Sequence, residues 1–516
     1  MQSHTPSAPA RLPLSALIWL SAAVLGILAS ALLQTLPWGL NLTIFLLACL
    51  GAIGVGWRLG AVRLTGAGRY LIPIFAALAL AYVTHDAYPL AALDLLAIAV
   101  VGALMIDRTR TGRLRVAGWS QYLTVCLAAL LSACQGAMLA RPALADGRAN
   151  PAARAARVLL RVAVGTAIAL PMLIVFASLF GSADPRFGAF LRDVFRLDRW
   201  NLGQFVRDGV IAFIVAWGTL GLLAHFFGDV RPHAIHIDSQ RDPTFPTPLG
   251  AVEALVALGL FNLLFGAFVV FQLPYLFSAT PIGQTPGLNP YADYARRGFL
   301  ELVAVAAFTL PTLLTGDWIT RTPRPKLYTI LSLTLLGLLA VIAASALQRM
   351  WLYTQAYGLT ELRLYSTTFM LWLAAVFAWY VPTVLRCRRD RFAFGALVAA
   401  LGTLLALYVV NPDDLIVRAN LDLSRRAGST ITLLPPGNRV YESNFDDTYA
   451  LTLSADAAPA LIDALPSLPQ AQACQIANAL RRKAREVWAV GDWRSWSLAR
   501  ALATERVRTM TFTCER

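Results

Sequence analysis

The chain has 516 residues, of which 57% are hydrophobic and 14% charged, with a mean hydropathy of +0.60 and a net charge of +15. Soluble domains carry roughly 25% charged residues, so this composition excludes an ordinary soluble protein and points to a polytopic membrane protein. The positive charge is mostly arginine in short turns between apolar runs, which is the positive-inside pattern and argues against a nucleic-acid partner.

Taken in order, the apolar runs cover 14–33, 36–57, 70–84, 89–106, 158–180, 206–227, 251–273, 298–314, 327–347, 367–385 and 392–410. The first is longer than a signal-peptide core, and a second follows within a few residues, so it reads as a retained transmembrane helix. Trp38, Trp57, Trp119, Trp200, Trp318 and Trp351 fall near run ends, as an aromatic belt requires. One further run, 119–140, carries Ser120, Gln121, Thr124, Ser132, Gln135 and Gly136 and is polar for a span.

Charge decides how that run is treated. Basic turns are Arg58, Arg63 and Arg69; Arg108, Arg110, Arg113 and Arg115; Arg141, Arg148, Arg154 and Arg157; Arg321, Arg324 and Lys326; and Arg386, Arg388, Arg389 and Arg391. If 119–140 is re-entrant or interfacial, all five fall on one side of the membrane. If it crosses, the five cannot share one side, and the turns at 321–326 and 386–391 fall on the wrong one. The sequence therefore predicts an all-α polytopic membrane protein with about eleven transmembrane helices, the amino terminus in the cytoplasm and the carboxyl end outside. The expected parts are an amino-terminal region 1–157, a membrane core 158–410 and a small, mostly helical extracytoplasmic domain 411–516.

That last domain opens on NPDD, where Asn411 can cap, Pro412 suits the first helical position and Asp413 and Asp414 suit the positive end of the dipole. Residues 431–444 read as a strand-like piece and a turn. SADAAPALIDAL, QAQACQIANALRRKAREVWAV and SWSLARALATERV repeat apolar residues at helical spacing, and VRTMTFTCER reads as a short terminal strand. Cys474 and Cys514 are its two cysteines, and an oxidising compartment permits a disulfide between them. Separate thiols in unrelated packing sites are the plain alternative.

Three stretches share the outer face under this topology: YADYARRGFLEL at 291–302, YGLTELRLYS at 357–366 and NPDDLIVRANL at 411–421. Tyr291, Tyr294, Arg296, Arg297, Glu301, Glu361, Arg363, Asp413, Asp414, Arg418 and Asn420 form a candidate polar cluster there, in which opposite charges pair across elements. These stretches also resemble an uncharacterised family of bacterial polytopic membrane proteins, a domain-of-unknown-function family. The resemblance rests on Tyr291, Tyr294, Gly298 and Phe299; on Tyr357, Gly358, Leu359, Thr360 and Arg363; and on Asn411, Pro412, Asp413, Ile416, Arg418 and Asn420, with YALTLSADAAPAL similar as well. It covers roughly 150–516 and implies a bacterial membrane protein with an extracytoplasmic carboxyl part, and no activity. A cleft for a ligand or partner is one reading of the cluster. Anchors that lock helix ends to the tail are the plainer one.

Other candidates are weaker. Asp94, Arg161, Glu253 and Glu301 are ionisable residues within runs, all near boundaries and not at mid-bilayer. Asn262 and Gln272 read as interhelical hydrogen-bond glue. His233 and His236 have a spacing that permits a metal, but no third ligand is evident, so the loop reads as a solvated connector and no metal or cofactor is expected. No phosphate loop, nucleophile elbow or catalytic constellation is present. The expected function is a non-enzymatic scaffold, sensor or assembly factor of the bacterial inner membrane, touching the lipid bilayer and an envelope protein partner. The alternative is a transporter with a cavity among the later spans.

Overall fold

A computed structural model of the chain describes residues 14–59, 66–111, 114, 117–136, 202–227, 251–272, 299–320, 325–386, 388–429, 445–488, 491–512 and 514. Among these, every regular element is a helix. Eleven make up the first part of the chain: α1 Leu14–Leu32, α2 Leu40–Arg58, α3 Leu71–Ala81, α4 Tyr88–Thr111, α5 Trp119–Gln135, α6 Leu202–Phe227, α7 Ala251–Gln272, α8 Phe299–Thr320, α9 Lys326–Tyr357, α10 Glu361–Thr383 and α11 Phe392–Val410. The tail adds α12 Pro412–Ser429, α13 Asp447–Ala450, α14 Ala458–Ala464, α15 Gln470–Glu486 and α16 Leu498–Arg508. Seven of the described helices are long and apolar enough to cross a membrane, and three shorter ones are apolar. The expected span at 158–180 lies outside the described residues, as does the expected strand-like piece at 431–444. The terminal segment expected as a strand is not one: α16 runs to Arg508, and residues 510–512 and 514 have no regular structure.

The helices alternate in direction, and their ends sort onto two sides. On the tail side lie the ends of α1, α3, α9 and α11 and the starts of α2, α4, α6 and α10. Arg207 near the start of α6 donates to Gln34 just past α1 at 3.2 Å. On the opposite side, Phe227 at the end of α6 packs on Gly56 of α2. Arg389 between α10 and α11 pairs with Asp317 of α8 at 2.9 Å. Tyr328 at the start of α9 is fully buried and donates to the Leu313 carbonyl at 3.0 Å. Helices α8 and α10 keep Pro311 and Pro382 inside them, which membrane helices tolerate.

Helix α5 stands apart. Its 17 residues span about 25 Å at 1.5 Å per residue, less than the roughly 30 Å of a hydrocarbon core. It starts on the side opposite the tail, where Ala117 N–H donates to the Asp390 carbonyl at 2.8 Å. It ends beside the middle of α6, where Trp217 Nε1 donates to the Cys134 carbonyl at 2.9 Å.

The tail has its own buried cluster, with Ile416, Val417 and Leu421 of α12 facing Leu461, Ile476, Leu480, Trp488 and Val507. Leu359 and Leu364, at the junction of α9 and α10, pack against that cluster. The tail is therefore joined to the long helices through a shared apolar seam. Cys474 of α15 and Cys514 are bonded, with Cα atoms 5.5 Å apart, which closes the end of the chain onto α15.

Candidate functional site

Where the tail meets the helix ends, polar groups engage one another across the junction. The turn between α3 and α4 is HDAYP. Its backbone N–H groups at Asp86 and Ala87 both donate to Asp456 Oδ2, at 2.6 and 3.1 Å. His85 Nδ1 lies 3.1 Å from Asp456 Oδ1, and its ring packs on Tyr408 at 5.1 Å between centroids. The Asp456 side chain is only 4% exposed, so it acts as an anion cap for the start of α4, where exposed N–H groups and the helix dipole favour negative charge. In return, Asp86 reaches into the tail: it pairs with Arg500 of α16 and accepts from the Ala455 N–H at 3.3 Å. Both members of the Asp86–Arg500 pair are largely buried.

Asp413 completes this ring from the other direction. Asn411 has φ 51°, a left-handed conformation that asparagine tolerates better than most residues, and it turns α11 directly into α12. Its side-chain oxygen is buried without a hydrogen-bond partner, so Asn411 serves as a joint and not as the expected side-chain cap. The turn buries Asp413 completely. Its Oδ2 accepts from Ser454 N at 3.0 Å and Ser454 Oγ at 2.5 Å, and the same hydroxyl lies 3.2 Å from Asp456 Oδ2. Burial raises the Asp413 carboxyl above the usual carboxylate range; the Ser454 hydrogen bonds oppose this, and the neighbouring Asp456 and Asp86 add to it. Lys483 closes the far side of the turn by donating to the Leu451 and Leu453 carbonyls, and burial lowers its pKa.

Two of the three predicted stretches meet in this region. Asn420 Nδ2 donates to the Leu359 carbonyl at 2.9 Å, and Asn420 Oδ1 accepts from Leu359 N–H at 2.6 Å, as a neighbouring strand would. Gly358 has φ +76°, and a Cβ there would sit 2.7 Å from Asn420 Oδ1. This explains the glycine in YGLT: both the backbone conformation and the close approach require it. Glu361 N–H donates to the Tyr449 hydroxyl at 2.8 Å. Gly39, before α2, is equally tight: a Cβ there would meet the Trp496 carbonyl at 2.4 Å, and Leu40 N–H donates to that carbonyl at 2.9 Å. Leu498 N–H donates to the Val83 carbonyl at 2.8 Å, and Arg494 caps the Ala31 carbonyl.

The charges expected to pair across elements engage other partners. Arg418 pairs with Asp414 on its own helix at 2.6 Å and with Asp463 of α14 at 3.6 Å, on an exposed face. Arg363 donates to the Tyr357 and Gly358 carbonyls and lies 4.0 Å over the Tyr353 ring, capping the end of α9. Asp413 is held by Ser454 and not by an arginine. Tyr291, Tyr294, Arg296 and Arg297 lie outside the described residues, as do the Glu253 and Glu301 side chains, Arg161, His233 and His236. Asn262 donates to the Leu258 and Leu331 carbonyls at 2.8 and 3.0 Å.

Sequence reasoning missed His85, Asp86, Ser454, Asp456 and Arg500. A signal for them existed. HDAYP places two polar residues in a very short turn between apolar runs, and SADAAPAL is a helix-start pattern with an acid beside the serine. Asp94, expected near a boundary, is the seventh residue of α4, fully buried beside Tyr408. No group of three His, Cys, Asp or Glu side chains among the described residues is arranged to hold a metal ion.

A chain that is all-helical among its described residues, with several helices able to cross a membrane and a helical tail fastened at one end, is a membrane protein. It belongs to the family described as Domain of unknown function (DUF4153), whose model matches residues 72–464. The match begins earlier than the motifs alone imply, taking in α3, α4 and the HDAYP turn, and it stops at the end of α14. No curated protein and no solved structure matches the chain.

Proposed function

We propose that this protein is a multi-pass scaffold or assembly factor of the bacterial cytoplasmic membrane, in which residues 411–516 form an extracytoplasmic platform for an envelope protein partner. One observation carries the reading: the tail is fastened to four turns on one side of the bundle, at Ala31–Leu40, Val83–Ala87, Gly358–Glu361 and Asn411–Asp413. Asp456, Asn420 and Arg494 are spent on backbone groups, and Asp86 and Arg500 on each other. A fixed platform needs this; a site that opens and closes needs groups that change partners.

The basic turns at Arg58, Arg69 and Arg386–Arg391 lie at helix ends away from the tail, which supports a cytoplasmic position for them and an outside position for the tail. The short reach of α5, from the basic side to mid-α6, supports a re-entrant segment and hence eleven crossings with a cytoplasmic amino terminus. The bonded Cys474 and Cys514 suit an oxidising compartment. A carrier has less support, because the Asn262 amide nitrogen is taken by carbonyls and the cavities of about 780 and 450 Å³ are apolar.

Two experiments test this. A reporter active only in the cytoplasm, fused after Arg516, is expected to be silent; activity would overturn the topology. Crosslinking in cells from a photoreactive residue at Trp493, which is 59% exposed, is expected to capture a reproducible envelope protein. No reproducible capture would count against the platform.

A further inference from the structure

The cavity of about 780 Å³ between α4, α10 and α11 has no role in fastening the tail. Its size is that of a ligand pocket, which typically holds roughly 300–1,000 Å³. Pro89, Val100, Tyr365, Trp372, Leu397 and Leu407 mark its extent, and its walls are almost wholly apolar. From Pro89 to Val100 the wall of α4 rises about 16 Å at 1.5 Å per residue. Half of a bilayer's hydrocarbon core is about 15 Å. The cavity therefore runs the depth of one leaflet, on the tail side, and stops there. Leu96 lines it and is more than half exposed, as are Leu371 and Leu405 on the two adjoining helices, so it continues the surface that faces lipid.

Its mouth has a chemical character of its own. Tyr365 is the partition: its ring lines the cavity, while its hydroxyl is buried without a hydrogen-bond partner on the side of the polar junction. On that side Asp413 and Asp456 are engaged by Ser454 and by the Asp86 and Ala87 N–H groups. Glu361 lies one helical turn before Tyr365, on the same face of α10. Arg363 is turned away, onto Tyr353 and the end of α9. Glu361 is thus the charged side chain that α10 leaves near the mouth.

We infer that this cavity is a binding site for one phospholipid of the tail-side leaflet, with an acyl chain in the apolar channel and an ammonium-bearing headgroup at Glu361. The inference rests on the membrane reading but not on the platform reading, and its test does not depend on whether a protein partner exists.

The test uses the full-length protein reconstituted in vesicles of equal phosphatidylethanolamine and phosphatidylglycerol. After extraction in mild detergent, retained lipids are counted per chain by native mass spectrometry. The expected result is one retained phosphatidylethanolamine per chain, none in Ala400→Trp, which fills the channel, and no loss in Leu264→Trp on the exposed face of α7. Glu361→Gln is expected to keep a lipid but lose the headgroup preference. No retained lipid in the wild type, or retention unchanged in Ala400→Trp, would overturn the channel. Equal retention of both lipids by the wild type would overturn the headgroup assignment. If Ala400→Trp does not accumulate as folded protein, Ala400→Leu serves instead, with retention at least halved as the expected result and unchanged retention as the contrary one.

Discussion

On the tail side, four turns meet the carboxyl-terminal helices through backbone N–H and C=O groups and buried carboxylates. On the opposite side, the helix ends are tied by Arg389–Asp317 and by Ala117 N–H on the Asp390 carbonyl, amid turns rich in exposed arginine. The first side is built for geometric register and the second for charge asymmetry. Each leaves a different mark in a sequence. Arginine clusters announce themselves by composition, whereas a carboxylate that caps a distant helix looks like any other acid.

The contrast breaks most sharply at Asp86–Arg500. Removing one member of a buried pair leaves the other charged and unpaired, which costs about 3–5 kcal/mol. Arg500→Ala is therefore expected to undock the tail, read as rapid protease cleavage between α11 and α14 in purified protein at a temperature where the wild type resists. Resistance equal to wild type would show that the buried pair does not hold the tail. Asn420→Ala comes next. It removes two hydrogen bonds and strands both polar groups of Leu359, at a cost of about 2 kcal/mol, and it should lower the melting temperature of the tail and the protein level together. Loss of a cellular phenotype with normal protein level would instead assign Asn420 to a ligand site.

Acidity sharpens the same comparison. The folded-state pKa of Asp413 is raised, chiefly by burial, above the roughly 3.9 of an unfolded chain. Between those two values the folded protein binds more protons than the unfolded one, so this contribution is complete below the unfolded pKa and is lost as pH rises through the folded one. Tail stability is expected to fall over that window in the wild type and to vary less in Asp413→Asn. An unchanged pH profile in the variant would remove Asp413 from the account. The smallest effect belongs to Arg418→Ala. Its partners Asp414 and Asp463 share an exposed face, where such pairs contribute about 0–1 kcal/mol. A loss of stability comparable to that of Asn420→Ala would mean that the exposed face of α12 is covered in the working assembly.

Much of the helical framework was legible because membrane helices are written in composition. The run 392–410 coincides with α11, and 14–33 nearly coincides with α1. Helix α9 extends ten residues past the run 327–347, because the stretch after Leu347 leaves the apolar composition but keeps a helical period through Met350, Tyr353 and Tyr357. At the junction, the sequence pointed to Asp413 and Asn420 but not to their partners. Asp86 and Arg500 are 414 positions apart, and no local rule relates residues at that distance. The cross-element ion pairs expected among Arg363, Asp413 and Arg418 do not form, because nearby carbonyls, a serine and a same-helix aspartate reach those groups first.

The proposed topology holds the tail outside the membrane, on the helix ends opposite the basic turns. The most direct measurement places a cysteine at Trp493, exposed on the tail beside α2, and labels intact cells with a membrane-impermeant maleimide, with the wild type as the background control. An outside tail gives labelling of Trp493→Cys before lysis. Labelling only after lysis would contradict it.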